Sequence, residues 1–403
     1  MRVGLVLGAG GVIGGSWLMG ALEALEAETG WHATDAEQIV GTSAGAVIGA
    51  LAAAGVAPEY MSAYAAGEVL DGVAEAEARA AATAAATAER ASAGEYHLQW
   101  ALPPIGPGSW RLAMSTLLQP HRHSPAALLA GWLPRGFIST APIRGVVETL
   151  VGEDWPAQTR FWAVAADYGT GGRVAFGRED APRATVAEAV AASCAIPGFY
   201  HPVRIDGRRY VDGGICSVSN LDLLCDERLD LVICLNPMSS LAQATGGSPA
   251  DRMAAIMRSA AGRRLGHEAR KLREAGTRVL ILQPGEQDVG LMGFNLMSGG
   301  RRLEVMEQAR RSVATELRAI RARAAPRCPI AAAVADARLP PPGPRDRPAP
   351  SAAARPDPPA RATVRTMAAR EGDWCIGNTA VSKTATPGSI PGSPVRVTAP
   401  DAR

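Results

Sequence analysis

The chain opens with nineteen uncharged residues, "GLVLGAGGVIGGSWLMGAL" from Gly4 to Leu22, seven of them glycine. Three architectures use such a run: a membrane span with small-residue packing faces, a dinucleotide-binding loop, or a backbone cradle for developing negative charge. The length just suffices to cross a bilayer, and Gly4/Gly8, Gly10/Gly14 and Gly11/Gly15 satisfy GxxxG spacing. Yet Gly8, Gly10, Gly11, Gly14 and Gly15 fall within eight residues, and each glycine weakens a helix by roughly 1 kcal/mol against alanine. The cluster therefore reads as a loop. Val3 to Leu7 has the length and apolar character of a strand, and Gly8 to Gly15 forms the loop. Ser16 is placed to cap a helix in which Leu18, Leu22 and Leu25 recur at helical spacing. Strand, glycine loop and helix in succession open a parallel α/β sheet. Only Arg2 precedes the apolar run, which does not read as the basic flank of an export signal.

The dinucleotide fingerprint GxGxxG comes after a first strand and needs an acidic residue at the far end of the second. Here its third position falls on Ile13, so the spacing is GxGxxxG, and Asp35 and Glu37 precede the second apolar run, Gln38 to Val40. At the far end of that run stands "GTSAG", Gly41 to Gly45, the chain's one GxSxG. A serine on a tight strand-to-helix turn crowds its neighbours two positions away, so Gly41 and Gly45 remove Cβ atoms that would clash. Ser43 would also serve as a helix N-cap, but capping needs no flanking glycines. The small-residue helix after it, "AGAVIGALAAAG", directs its positive end at Ser43.

A nucleophilic serine needs a base. None of the six histidines stands in a motif-like setting: His32, His97, His121, His123 and His201 are scattered, and His267 lies in the charged run "RRLGHEARKLRE". The stretch "PVRIDGRRYVDGGICSVSN" offers a carboxylate instead. Asp206-Gly207 is a two-residue hairpin signal between short strands. Asp212 stands at the end of the second of these strands, and Gly213-Gly214 leave room beside it. Alone, it reads as another turn aspartate.

Taken together, the glycine loop after the first strand, GxSxG after the second and the later VDGG resemble the patatin-like phospholipase family. The resemblance spans roughly residues 3 to 300 and takes in "ASCAIPGFYHPV" at 192–203. It implies a Ser/Asp dyad, with Ser43 as nucleophile and Asp212 as base, and an oxyanion hole of backbone N–H groups near Gly10 and Gly11. Gly8, Gly14, Gly41, Gly45, Gly213 and Gly214 are then motif support. The implied substrate is a lipid acyl ester, a phospholipid or lysophospholipid, and no metal or cofactor is called for. Where the family commonly shows GGGxRG, residues 9–14 read "AGGVIG", with Ala9 for a glycine and Ile13 for the basic residue.

Further along, "LDLVICL" and "TRVLILQP" read as buried strands and "RRLEVMEQARRSVATELRAI" as an amphipathic closing helix. The expectation is a three-layer α/β/α domain with a mostly parallel central sheet over residues 1–325. Residues 56–140 read as a helical cap or insert, with an Ala-rich stretch at 73–93 and Trp100 and Trp110 among leucines. Such residues serve as core helices or as a peripheral contact with membranes. From 326 to 403 the Pro/Ala/Arg-rich composition predicts a disordered tail, with "DWCIGN" around Trp374 as a short apolar motif. The 41 basic and 39 acidic residues form no like-charge block in the folded part, which points away from nucleic acid. The basic cluster from Arg258 to Arg273 reads as a solvated helix face. Six cysteines, with no CxxC, fit buried thiols in a reducing cytosol. The competing classes are a non-catalytic lipid-binding protein on the same fold and a dinucleotide-dependent oxidoreductase.

Overall fold

The computed structural model describes residues 1–66, 107–118, 125–134, 136, 138–240 and 249–323. Its sheet takes strands β1 (Val3–Leu7), β2 (Gln38–Thr42), β3 (Arg160–Asp167), β4 (Arg173–Phe176), β5 (Val203–Ile205), β6 (Arg208–Asp212), β7 (Leu231–Leu235) and β8 (Arg278–Leu282). The order is β5-β6-β3-β2-β1-β7-β8, with β4 paired to β3. From β3 to β8 along that order every pairing is parallel, whereas β4 and β6 run antiparallel to β3. β1 lies between β2 and β7, so the chain reverses its direction of winding there. In parallel sheets a cleft opens at the carboxyl end of the strands at such a reversal.

The helices are α1 (Gly11–Thr29), α2 (Ala44–Ala53), α3 (Pro58–Ala66), α4 (Trp110–Leu118) and α5 (Pro125–Ala130). They continue with α6 (Ala141–Leu150), α7 (Val186–Ser193), α8 (Pro249–Glu274), α9 (Glu286–Met292) and α10 (Arg302–Arg323). Alternation along the strands sorts them into two layers. Val3, Leu5, Leu7, Ile39 and Ile233 face a core shared with α1, α2, α7 and α10. Val6, Val40, Val232 and Cys234 face Leu265, Ala269 and Leu272 of α8. Helices thus cover both faces, which is why β1, β2 and β7 are buried along their whole length. The fold is a three-layer α/β/α domain with a mostly parallel sheet, as the sequence implies.

Three local expectations are corrected. The first helix starts at Gly11, not after Ser16, whose hydroxyl donates to the Val12 carbonyl inside the helix at 3.2 Å. Gly14 and Gly20 stand within this helix where neighbours come close. A Cβ on Gly14 would stand 3.2 Å from the Pro237 ring, and one on Gly20 would overlap the Met306 carbonyl of α10. Tertiary packing offsets their low helix propensity. The second strand runs on to Thr42, directly before the serine. Arg258 is not solvated: it is 5% exposed and donates to the Pro237 carbonyl at 2.8 Å.

Cys194 and Cys234 are buried free thiols, and burial raises the pKa of both. Among the described residues no helix is long and apolar enough to cross a membrane. The Ala-rich stretch at 73–93, Trp100, and the segment 326–403 lie outside the described residues.

Candidate active site

A strand has two edges, and β3 uses both. On one, β4 pairs with Ala163 through Ala166. That pairing overlaps both β2, which reaches Val164 through Thr42, and β6, which begins at Ala165 through Asp212. β2 and β6 therefore share the other edge, one after the other, and run toward each other. Thr42 and Asp212 sit opposite consecutive residues of β3, so the residues after each must leave the sheet at one point. This head-on meeting brings together segments 170 residues apart in sequence, |42 − 212|.

On the β2 side the chain escapes through an elbow. Ser43 has φ 55° and ψ −123°, and α2 begins at the next residue. A non-glycine residue at positive φ is strained by about 1–3 kcal/mol. The turn is too tight for side chains on either flank: a Cβ on Gly41 would stand 2.6 Å from the Ala46 Cα, and one on Gly45 would overlap the Leu7 carbonyl oxygen. The elbow is tied down by the fully buried Ser193, whose hydroxyl accepts from the Ser43 amide at 2.9 Å and donates to the Val164 carbonyl at 2.6 Å.

On the β6 side, Asp206 and Gly207 have φ 47° and 72°, as a two-residue hairpin demands. Asp212 then ends the strand, and its amide donates to the Ala195 carbonyl at 2.9 Å. Gly213 has no room for a Cβ over the Val164 carbonyl, where the chain turns away. The Asp212 carboxylate accepts from the Gly214 amide at 2.7 Å and lies within hydrogen-bonding reach of the Ser43 side chain. Ser43 is 4% and Asp212 5% exposed. Burial pushes the Asp212 pKa up from 3.8 to about 6, while the Ser43 and Gly214 hydrogen bonds hold it from rising further.

The loop after Asp212 returns to the elbow. Asn220, in the left-handed region at φ 50°, donates to the Thr42 hydroxyl at 3.0 Å and to the Ser217 carbonyl at 2.6 Å, and its Oδ1 accepts from Arg173. It links the residue before Ser43 to the segment after Asp212. Neither Ser193 nor Asn220 has a motif of its own; the signal for Ser193 is a polar residue in the apolar run "AASCA", and Asn220 lies in the mixed run "CSVSNLDLL".

The glycine loop closes the site. Pro237 packs against Gly14, and a Cβ on Gly10 would stand 2.8 Å from the same ring. Gly8 approaches Asn236 as closely, so the end of β7 backs the loop, and Arg258 holds Pro237 in place. Gly11 has φ 61°, and Ile13 donates to the Leu296 carbonyl at 3.0 Å. The amides of Gly10 and Gly11, at the start of α1, meet no acceptor among the described residues. A Cβ on Gly214 would lie 3.7 Å from Ala9 Cβ, which puts the loop beside the Asp212 turn. Ile13 is buried in the core, so its side chain takes no part in the site.

Residues 5–224, more than half of the 403, match the model of the patatin-like phospholipase family. The chain belongs to that family. Patatin-like phospholipases are lipid acyl hydrolases, and the glycine loop, the elbow, the Asp212 hairpin and Asn220 all fall within the matched span. A comparison with curated proteins finds no match. The described histidines of this patatin-like chain, His32, His201 and His267, are exposed, unlike Ser43 and Asp212. A cavity of about 520 Å³, lined by Arg173, Arg178 and Tyr210 among others, is lined by neither of the pair.

Proposed function

We propose that this patatin-like protein hydrolyses the acyl esters of phospholipids or lysophospholipids, with Ser43 as nucleophile and Asp212 as general base. The observation that carries the reading is a serine on a strained elbow, within hydrogen-bonding reach of a carboxylate whose pKa burial has raised to about 6. Ser43 Oγ attacks the ester carbonyl while its proton passes to Asp212. The carbonyl electrons move onto oxygen, where the amides of Gly10 and Gly11, without an acceptor among the described residues, and the positive end of α1 receive the charge. The ester C–O bond then breaks and the leaving alkoxide takes the proton from Asp212. Water attacks the acyl-serine in the same way, Asp212 taking its proton and passing it to Ser43 Oγ as the acyl bond breaks, which frees the fatty acid and restores the serine hydroxyl.

An ordinary aspartate would be a weak base, since its pKa lies about 2.6 units below that of histidine, or roughly 3.5 kcal/mol in proton affinity. At about 6, Asp212 comes within a fraction of a unit of histidine. The loop amides matter as much, because one oxyanion donor contributes roughly 3–4 kcal/mol.

The base must be ionised to act, so kcat/KM should rise tenfold per pH unit below about 6 and level off above it. A pH–rate profile on a soluble acyl ester tests this. A midpoint near 4, the value of a solvated carboxylate, would remove Asp212 as the buried base.

A further inference from the structure

Among the described residues, most of the large apolar side chains in contact with water fall into two groups. Helix α4 turns Leu112, Ala113 and Thr116 inward and leaves Trp110, Met114, Leu117 and Leu118 outside, Trp110 63% and Leu118 73% exposed. It is apolar on both faces, so packing onto the domain accounts for only one of them. Its neighbour α5 adds the exposed Leu129, and Trp132 follows. The inner side of this pair rests on Tyr168, Val211 and Ile215. α5 also touches the Gly213–Ile215 turn that directly follows Asp212.

A second group has the same character. Met253, Ile256 and Met257 are exposed on α8 just before Arg258, the residue that holds Pro237 against the glycine loop. Phe294 is exposed two residues before Leu296, whose carbonyl accepts from the Ile13 amide. The first group is thus joined to the Asp212 turn through α5, and the second to the glycine loop through Pro237 and Leu296.

Scattered apolar residues on a surface need no explanation, but groups joined to the segments of a candidate site do. The chemistry of the family supplies the occupant. Phospholipid substrates are held in an aggregated phase, and tryptophan, leucine and methionine are side chains that enter the boundary between head groups and acyl chains. We propose that these two groups, α4 with α5 and the start of α8 with Phe294, are the contacts by which the protein docks onto a lipid surface. Docked this way, Ser43 takes an acyl ester from the layer without releasing it into water. The position of these contacts relative to the chemistry rests on the reading of Ser43 and Asp212; the docking itself does not.

The double variant Leu117→Glu/Leu118→Glu changes only exposed positions and should fold as the parent does. Sedimentation of the full chain with phosphatidylcholine vesicles reads docking directly. The bound fraction of the parent should fall at least about tenfold in the variant, and vesicle phospholipid hydrolysis with it, while hydrolysis of a soluble butyrate ester is unchanged. Met257→Glu, in the second group, should act in the same direction. Equal vesicle binding by parent and both variants would overturn the proposal. So would a parent dimer that the double variant splits while vesicle binding stays the same, since the patch would then be covered by a second copy. If the parent fails to hydrolyse the butyrate ester, the assignment of Ser43 and Asp212 falls, and vesicle sedimentation still decides the docking.

Discussion

Asp212→Asn is expected to lose roughly a thousandfold or more in kcat/KM and to be the more stable protein at neutral pH. Both effects have one origin. Asparagine keeps the size of aspartate and can accept from the Gly214 amide, which now bonds the Asp212 carboxylate at 2.7 Å, but it cannot take a proton from Ser43. The stability effect comes from the raised pKa. Holding a carboxyl at about 6 instead of 3.8 means that the buried ionised form is disfavoured by roughly 3 kcal/mol relative to the unfolded chain. The sign is fixed by where each state titrates. Below pH 4 both states carry a neutral carboxyl and the penalty is absent. Between 4 and 6 the unfolded chain ionises first, so the parent loses stability as pH rises, and above 6 the whole penalty is present. Denaturant unfolding of parent and variant at pH 4.5 and pH 8 should give a gap that widens toward pH 8 in favour of the variant. A variant no more stable at pH 8 would mean that the parent's carboxylate is solvated.

The second large effect is on folding. Gly45→Ala should destabilise the domain by at least about 3 kcal/mol, because the new methyl group has nowhere to go. It would overlap the Leu7 carbonyl oxygen and stand 2.5 Å from the Leu7 carbonyl carbon and 2.7 Å from the Gly8 oxygen. All three are backbone atoms of β1 and its loop, which cannot move aside without opening the β1/β2 pairing. The same change at Gly266, exposed within α8 with no atom within 4 Å of the added Cβ, should instead stabilise by about 0.5–1 kcal/mol. Urea midpoints that shift in the same direction for both variants would contradict the packing assigned to the elbow.

The features legible in the sequence are local ones. Val3 to Leu7 and Leu231 to Leu235 declare buried strands by unbroken apolar runs, and Asp206-Gly207 declares its hairpin by the positive φ that the turn requires. Gly41 and Gly45 flank Ser43 because the elbow forbids side chains there, a constraint confined to five consecutive residues. The missed features depend on partners far along the chain. Helix α1 reaches back to Gly11 across Gly14, which packs on Pro237, and a propensity sum over the segment alone cannot include that contact. Arg258 lies among arginines that do face water, and only the position of Pro237 turns it inward. Ser193 and Asn220 gain their places from the meeting of β2 and β6 on one edge of β3, a consequence of register that no stretch of residues announces.

The nucleophile itself can be read by covalent labelling. The full chain treated with a fluorophosphonate should carry one adduct, found by peptide mapping on the fragment that contains Ser43, and Ser43→Ala should take up none. Labelling should slow as pH falls below about 6, in step with ester hydrolysis, as Asp212 becomes protonated. A folded parent that stays unlabelled, or one labelled at a different serine, would contradict the assignment of acyl transfer to Ser43.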